Sequence, residues 1–144
     1  PHISQGAMPG MTVLPGRAAA IMAQSRVLIV ASGTATLQAS LAGTPMVVVY
    51  KTGALNAMVA RRLIKVEHIA MPNLIAGREV IPELLQEKAT PQTVGDKALE
   101  LLGESQRRLD MIAGLNEVRG KLGGAGASRR VAQLARDMIT GTLT

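Results

Sequence analysis

A chain of 144 residues, 47% of them hydrophobic, is long enough for one domain with a core of its own; with one Tyr, no Phe or Trp and eight Met, that core must be aliphatic. The absence of Cys excludes disulfides and thiolate metal sites, and no apolar run approaches the roughly 20 residues that a membrane-spanning helix needs. The formal charge of +6 is unevenly spread: residues 1–66 hold Arg17, Arg26, Lys51, Arg61, Arg62 and Lys65 but no Asp or Glu, and all 10 acids lie from Glu67 onward.

Such a field favours an anion, whether a phosphate or an acidic membrane face. Nucleic acid is not expected, since there are no aromatics to stack bases and no helix-turn-helix or zinc pattern. No signal-peptide pattern opens the chain, and its abrupt start at Pro1 reads as that of a piece of a longer protein.

In chain order, Met11 to Leu14 reads as a short strand ending at Pro15-Gly16, and Arg17 to Gln24 as a helix with Ala20, Ile21 and Ala23 turned inward. Arg26 to Ala31 is a continuous apolar run bounded by serines, the pattern of a strand buried on both faces. Thr34 to Leu41 follows as a helix with Leu37 and Leu41 on one face, and Ala42-Gly43-Thr44-Pro45 ends it. Met46 to Tyr50 is a second apolar strand. Leu55 to Ile64 reads as a helix, Val66 to Met71 as a strand and Pro72 to Gly77 as a loop. Strands alternating with helices predict a parallel sheet with right-handed crossovers.

Beyond the loop the character shifts to amphipathic helices. Thr90-Pro91 opens one that Gly103 ends, and Ser105 opens another with Leu109, Ile112, Leu115, Val118 and Leu122 at steps of three and four. Glycines 120, 123, 124 and 126 make a joint, and Ser128 to Ile139 closes as a helix with Val131, Leu134, Ala135 and Met138 on one face. We divide the chain into a parallel-sheet domain over 1–103, which the resemblance given below makes a partial Rossmann-like donor-nucleotide-binding domain, and C-terminal helices over 104–144.

The turn Ser32-Gly33-Thr34 stands at the carboxyl end of a buried strand, where an open parallel sheet holds its ligands. The first N–H groups of the next helix are unpaired there and carry roughly half a positive charge. Gly33 lets an oxygen-rich ligand approach the backbone, and the two hydroxyls can donate to phosphate. The bland alternative is a helix cap with a tight turn. Asn73 likewise reads as a turn residue after Pro72, and Arg78-Glu79 as a turn with a surface ion pair. With no carboxylate before Glu67 and no nearby His, the turn is expected to bind rather than to move protons. No metal or cofactor is implied.

Four stretches carry a resemblance: ASGTATLQASLAGTPMVVVYK (31–51), VARRLIKV (59–66), MPNLIAGREVIPELLQ (71–86) and LGGAGASRR (122–130). They resemble the C-terminal part of the lipid-A-disaccharide synthase family, glycosyltransferases of the GT-B architecture, and the likeness runs colinearly from Leu14 to Met138. The resemblance implies an α/β, Rossmann-like open parallel sheet, the donor-side half of an inverting enzyme. That enzyme moves 2,3-diacylglucosamine from UDP to 2,3-diacylglucosamine 1-phosphate, at the cytoplasmic face of the inner membrane of a Gram-negative bacterium. On the same footing Ser32, Gly33 and Thr34 fall near the diphosphate, Gln38 near the ribose and Asn73 at the donor site, while Arg61, Arg62, Lys65 and Arg78 are candidates for phosphate or membrane contact.

This chain departs from the family at two places. Gln38 stands where the family usually has Glu, and keeps an acceptor oxygen without the charge that strengthens the bond. Residues 54–58 lack the large aromatics that the family tends to carry there. The general base belongs to the N-terminal domain of the architecture, so this chain by itself is expected to be inactive. The closing helix is expected to pack on its own domain or to exchange with a second copy, as a homodimer. The competing readings are a non-catalytic, self-associating half-Rossmann unit and another UDP-sugar enzyme such as an epimerase.

Overall fold

The computed structural model describes residues 10–51, 68–123 and 126–141. In chain order these form α1 (Ala18–Gln24), β1 (Leu28–Ala31), α2 (Thr34–Ala42), β2 (Met46–Tyr50), α3 (Met71–Ala76) and β3 (Glu83–Leu85). A short 3-10 turn (Gln86–Lys88), α4 (Pro91–Leu102), α5 (Gln106–Leu122) and α6 (Ala127–Thr140) complete them. The strands make one parallel sheet in the order β1-β2-β3, with Leu28 opposite Met46 and Val48 opposite Glu83. This is the open, Rossmann-like α/β arrangement that the sequence predicts. Parallel pairing forces every strand to leave the sheet at the same end, so the turn after β1 and the connection after β2 share one rim.

The apolar strand β2 lies in the middle, and Met46, Val47 and Val48 are all fully buried, so both of its faces are covered. α2 packs on β1, α4 on both β1 and β2, and α5 against α2, α3 and α4. Met111 and Leu115 of α5, Leu101 of α4 and Ile81 join the strands in one aliphatic core. The helix ends follow their chemistry. Thr90 and Ser105 accept from the N–H groups of Thr93 and Arg108, and left-handed Gly43 closes α2 on the Ala39 and Ser40 carbonyls.

Several expectations give way. Met11 to Leu14 forms no strand; Met11, Val13 and Leu14 are exposed, and no strand among the described residues pairs with them, so their backbone groups are left to water. β1 is not buried on both faces: Leu28 and Val30 face the core while Ile29, on the opposite face, is 58% exposed, so only one face of this strand is covered by the described residues. The expected helix over 55–64 lies outside the described residues, as does the start of the expected strand over 66–71. Of that strand's remainder, residues 68–70 are not in a strand and Met71 begins α3. The following loop is helical, since Pro72 sits in the first helical turn, where a missing N–H costs nothing.

The helix faces also turn differently. In α1 the chain offers Met22 to the core rather than Ala20, Ile21 and Ala23, which are exposed. α2 buries Thr36, Ala39 and Ser40 and leaves Leu41 exposed, Leu37 being half-buried. The hydroxyls of Thr36 and Ser40 donate back to the Gly33 and Thr36 carbonyls, so these small polar residues enter the interior satisfied. In α5, Leu115 and Val118 are buried as expected, but Met111 and Gly114 complete that face and Leu109 is exposed. The apolar face of α6 packs on none of it: Val131, Leu134, Ala135 and Met138 are all exposed.

Candidate functional site

The Ser32–Thr34 turn leaves β1 with the Ser32 N–H still tied to the sheet, donating to the Val49 carbonyl of β2 at 3.0 Å. Gly33 then takes φ 148° and ψ −164°, a region essentially reserved for glycine, and serves as the residue before the first turn of α2. Its carbonyl accepts from the Thr36 N–H and Thr36 Oγ1, while no side chain caps the helix. The helix-cap alternative therefore fails in its simple form. Among the described residues, neither the Ser32 nor the Thr34 hydroxyl makes a hydrogen bond, and a Cβ built on Gly33 would meet nothing within 4 Å. At the carboxyl end of β1 the nine-residue helix therefore starts without a side-chain cap, and neither hydroxyl is spent on a partner among the described residues. Gln38 lies on the exposed side of α2, one turn further along.

Asn73 has a different setting. It is not a turn residue but the third residue of α3, and it is fully buried. Its Oδ1 accepts from the Val80 N–H at 2.7 Å and the Ile81 N–H at 3.0 Å. Its Nδ2 donates to the Ile81 carbonyl at 2.8 Å and to Glu83 Oε1 at 2.7 Å. The amide has thus used both donors and both acceptor positions within the fold. Glu83, the first residue of β3, takes up the other end of this network. Its Oε2 accepts from the Ile69 N–H at 2.8 Å and its Oε1 from the Ala70 N–H at 3.1 Å, with His68 Nδ1 3.9 Å from Oε1. Sequence reasoning missed Glu83. The signal it offered was a single carboxylate inside the apolar run Val80-Ile81-Pro82-Glu83-Leu84-Leu85.

Arg78 is not brought to the turn. It follows α3, where its guanidinium donates to Glu117 Oε2 at 2.7 Å, and the neighbouring Glu79 accepts from Arg107 at 2.7 Å. The two ion pairs cross to α5 rather than joining Arg78 to Glu79. Lys121, bonded to the other Glu117 oxygen at 2.8 Å, and then Arg78 hold the Glu117 carboxyl below its ordinary value. Arg61, Arg62 and Lys65 lie outside the described residues. No helix among the described residues is long and apolar enough to cross a membrane.

Comparison with known proteins adds to this geometry. A family model described as lipid-A-disaccharide synthetase matches residues 8–137. Lipid-A-disaccharide synthase of Nitrosococcus oceani is 42% identical over 141 residues, 98% of this chain and 36% of that protein. The Syntrophus aciditrophicus protein of the same name is 39% identical over 138 residues, and the Acidobacterium capsulatum one 43% over 133. They are covered over 96% and 91% of this chain and 36% and 33% of their own lengths, so the chain spans about a third of the curated relatives it matches.

Proposed function

The chain belongs to the lipid-A-disaccharide synthase family of glycosyltransferases in lipid A biosynthesis, and from that premise we propose that it is the donor-side part of such an enzyme, holding the UDP portion of a sugar nucleotide. The observation that carries the reading is the turn at the carboxyl end of β1: a glycine-only backbone, an uncapped helix start and two hydroxyls without partners among the described residues. Ser32, Gly33 and Thr34 would receive the diphosphate, and Gln38, on the same exposed side, a ribose hydroxyl. Stabilising charge on a departing UDP is what such a site contributes to glycosyl transfer. Asn73, with its amide spent internally, would serve by shaping the site.

In the whole enzyme the donor would be UDP-2,3-diacylglucosamine and the acceptor 2,3-diacylglucosamine 1-phosphate. Arg61, Arg62 and Lys65 would face an acidic inner-membrane leaflet, each contributing about 1 kcal/mol. The 144 residues alone would not complete the transfer, because no carboxylate precedes Glu67 and the buried Glu83 is committed to backbone N–H groups. Titration with UDP, with UMP and phosphate as controls, followed by amide NMR, tests the proposal. Saturable shifts at residues 32–34 and 38 support it, and unchanged spectra from a folded chain refute it. A second reading, a self-associating unit, is favoured by the bare apolar face of α6, where Ile139 is 86% exposed; elution as a dimer without UDP binding would select it.

A further inference from the structure

We propose that Tyr50, the one tyrosine of a chain without Phe or Trp, is a further binding residue of the donor site, its phenol hydroxyl donating to an oxygen of the diphosphate. This inference rests on the reading of the Ser32–Thr34 turn as the place where that diphosphate lies. The sheet itself sets the two side by side. β1 and β2 run parallel with Ala31 opposite Val49, and the Ser32 N–H donates to the Val49 carbonyl at 3.0 Å. The register carried one residue further sets Ser32 opposite Tyr50, one strand spacing of about 4.8 Å away. On its other side Tyr50 is paired with Leu85 of β3, so its backbone is held from both edges.

Strand alternation also gives the ring a side. Of β1 only Leu28 and Val30 are buried, and Ala39 of α2, the helix packed on that strand, joins them in the core, so α2 covers their side of the sheet. Leu28 stands opposite Met46 and Val30 opposite Val48, and the period of two then places Tyr50 on that same side. Met46 and Val48 are fully buried, whereas Tyr50, the last residue of β2, is 36% exposed. Its ring thus emerges from the core at the end of the sheet where α2 begins, on the side that α2 occupies. A tyrosine set into a core ordinarily spends its hydroxyl on a partner, but this one makes no hydrogen bond among the described residues. A phenol O–H donates, and an anionic acceptor makes such a bond roughly twice as strong as a neutral one does. The turn offers donors from the end of β1; Tyr50 offers one from the end of β2.

The composition supplies the probe. With no Trp in the chain, tyrosine emission reports on Tyr50 alone. Inorganic pyrophosphate, which does not absorb the exciting light, is titrated into the chain while that emission and the amide shifts of residues 32–34 are followed together. The expected result is a saturable change in emission with the same midpoint as the amide shifts. Tyr50→Phe keeps the ring and removes only a hydroxyl that bonds to nothing among the described residues. It should stay folded and weaken pyrophosphate and UDP by one common factor of about fivefold, the share of a single hydrogen bond at a partly exposed site. The common factor marks a contact with what the two ligands have in common. If Tyr50→Phe does not fold, the emission of the wild-type chain decides. Steady emission while the amides shift, unchanged affinities in Tyr50→Phe, or weakening of UDP alone overturns the role of Tyr50 and leaves the turn standing as the donor site. A folded wild-type chain in which neither ligand shifts residues 32–34 overturns the donor-site reading and this inference with it.

Discussion

The Ser32–Thr34 turn and the Asn73–Glu83 pair are both polar insertions in an aliphatic domain, yet one leaves its donors open and the other spends all of them. Asn73 and Glu83 together satisfy four backbone N–H groups and one carbonyl, inside the fold. The turn satisfies one sheet bond through the Ser32 N–H and, among the described residues, leaves its hydroxyls and the helix start without side-chain partners. Buried polar groups left unpaired are costly, so the closed cluster must be a structural requirement. Groups facing solvent cost little to leave open, and stay available to a ligand. The difference separates residues that would bind from residues that hold the fold together.

The largest effect is expected from breaking the closed cluster. Asn73→Ala strands the Val80 and Ile81 N–H groups, the Ile81 carbonyl and part of Glu83 in the interior, and at about 1–3 kcal/mol for each unsatisfied group that water does not reach, the loss should total about 3–5 kcal/mol. Urea denaturation measures it; a loss under about 1 kcal/mol would mean that the cluster is dispensable. Gly114→Ala attacks the same segment from outside. The added Cβ would lie 2.5 Å from Val80 Cγ1, and Val80 cannot retreat freely because Asn73 holds its N–H. A cost of about 2–3 kcal/mol follows. Truncation to Val80→Ala in the same chain should recover most of that clash, a coupling that a double-mutant cycle reads directly.

The open turn should respond in the opposite sense, weakly in stability and strongly in binding. Gly33→Ala meets no atom, so its only cost is the backbone conformation at φ 148°, about 1–2 kcal/mol. Relaxation of that strain would swing the first N–H groups of α2 away from the place where a diphosphate would lie, and UDP-dependent shifts should disappear from a chain that remains folded. Equal UDP affinity in the variant would remove the turn from the site.

How much of this was legible beforehand follows the same division. The turn announced itself because it interrupts two apolar strands with Ser-Gly-Thr, and its role depends on local backbone chemistry that residue types reveal. β1, α2, β2 and the capped helices α4 and α5 were legible for the same reason. β3 was not, since three residues with a carboxylate at their head carry no strand pattern, and their conformation is imposed by the free edge of β2. Pro72 hid α3 by looking like a breaker while acting as an opener. The inward face of α2 was unreadable from hydrophobicity, because Thr36 and Ser40 become suitable for the interior only once their hydroxyls bond to the helix itself. Glu83 belongs to this second class: its partners lie 10–14 residues away and are mostly backbone, which no side-chain spacing encodes.

The smallest effect lies in the Arg78–Glu117–Lys121 group, and it tests whether charge there matters at all. Glu117 is held below its ordinary value of 4.5, first by Lys121 and then by Arg78. A carboxyl with a lowered folded-state value binds its proton less readily in the folded chain than in the unfolded one. Its contribution is therefore complete above about pH 4.5 and is lost as the pH falls through the folded value. Glu117→Gln should lower the melting temperature slightly at pH 7, and less in high salt, because these side chains are solvent-exposed and screened. Well below the folded value the variant and the parent should melt together. A gap that persists unchanged into acid would show that Glu117 acts through packing or neutral hydrogen bonds; a gap at neutral pH comparable with that of Gly33→Ala would mean that these surface cations contribute more than exposed ion pairs do.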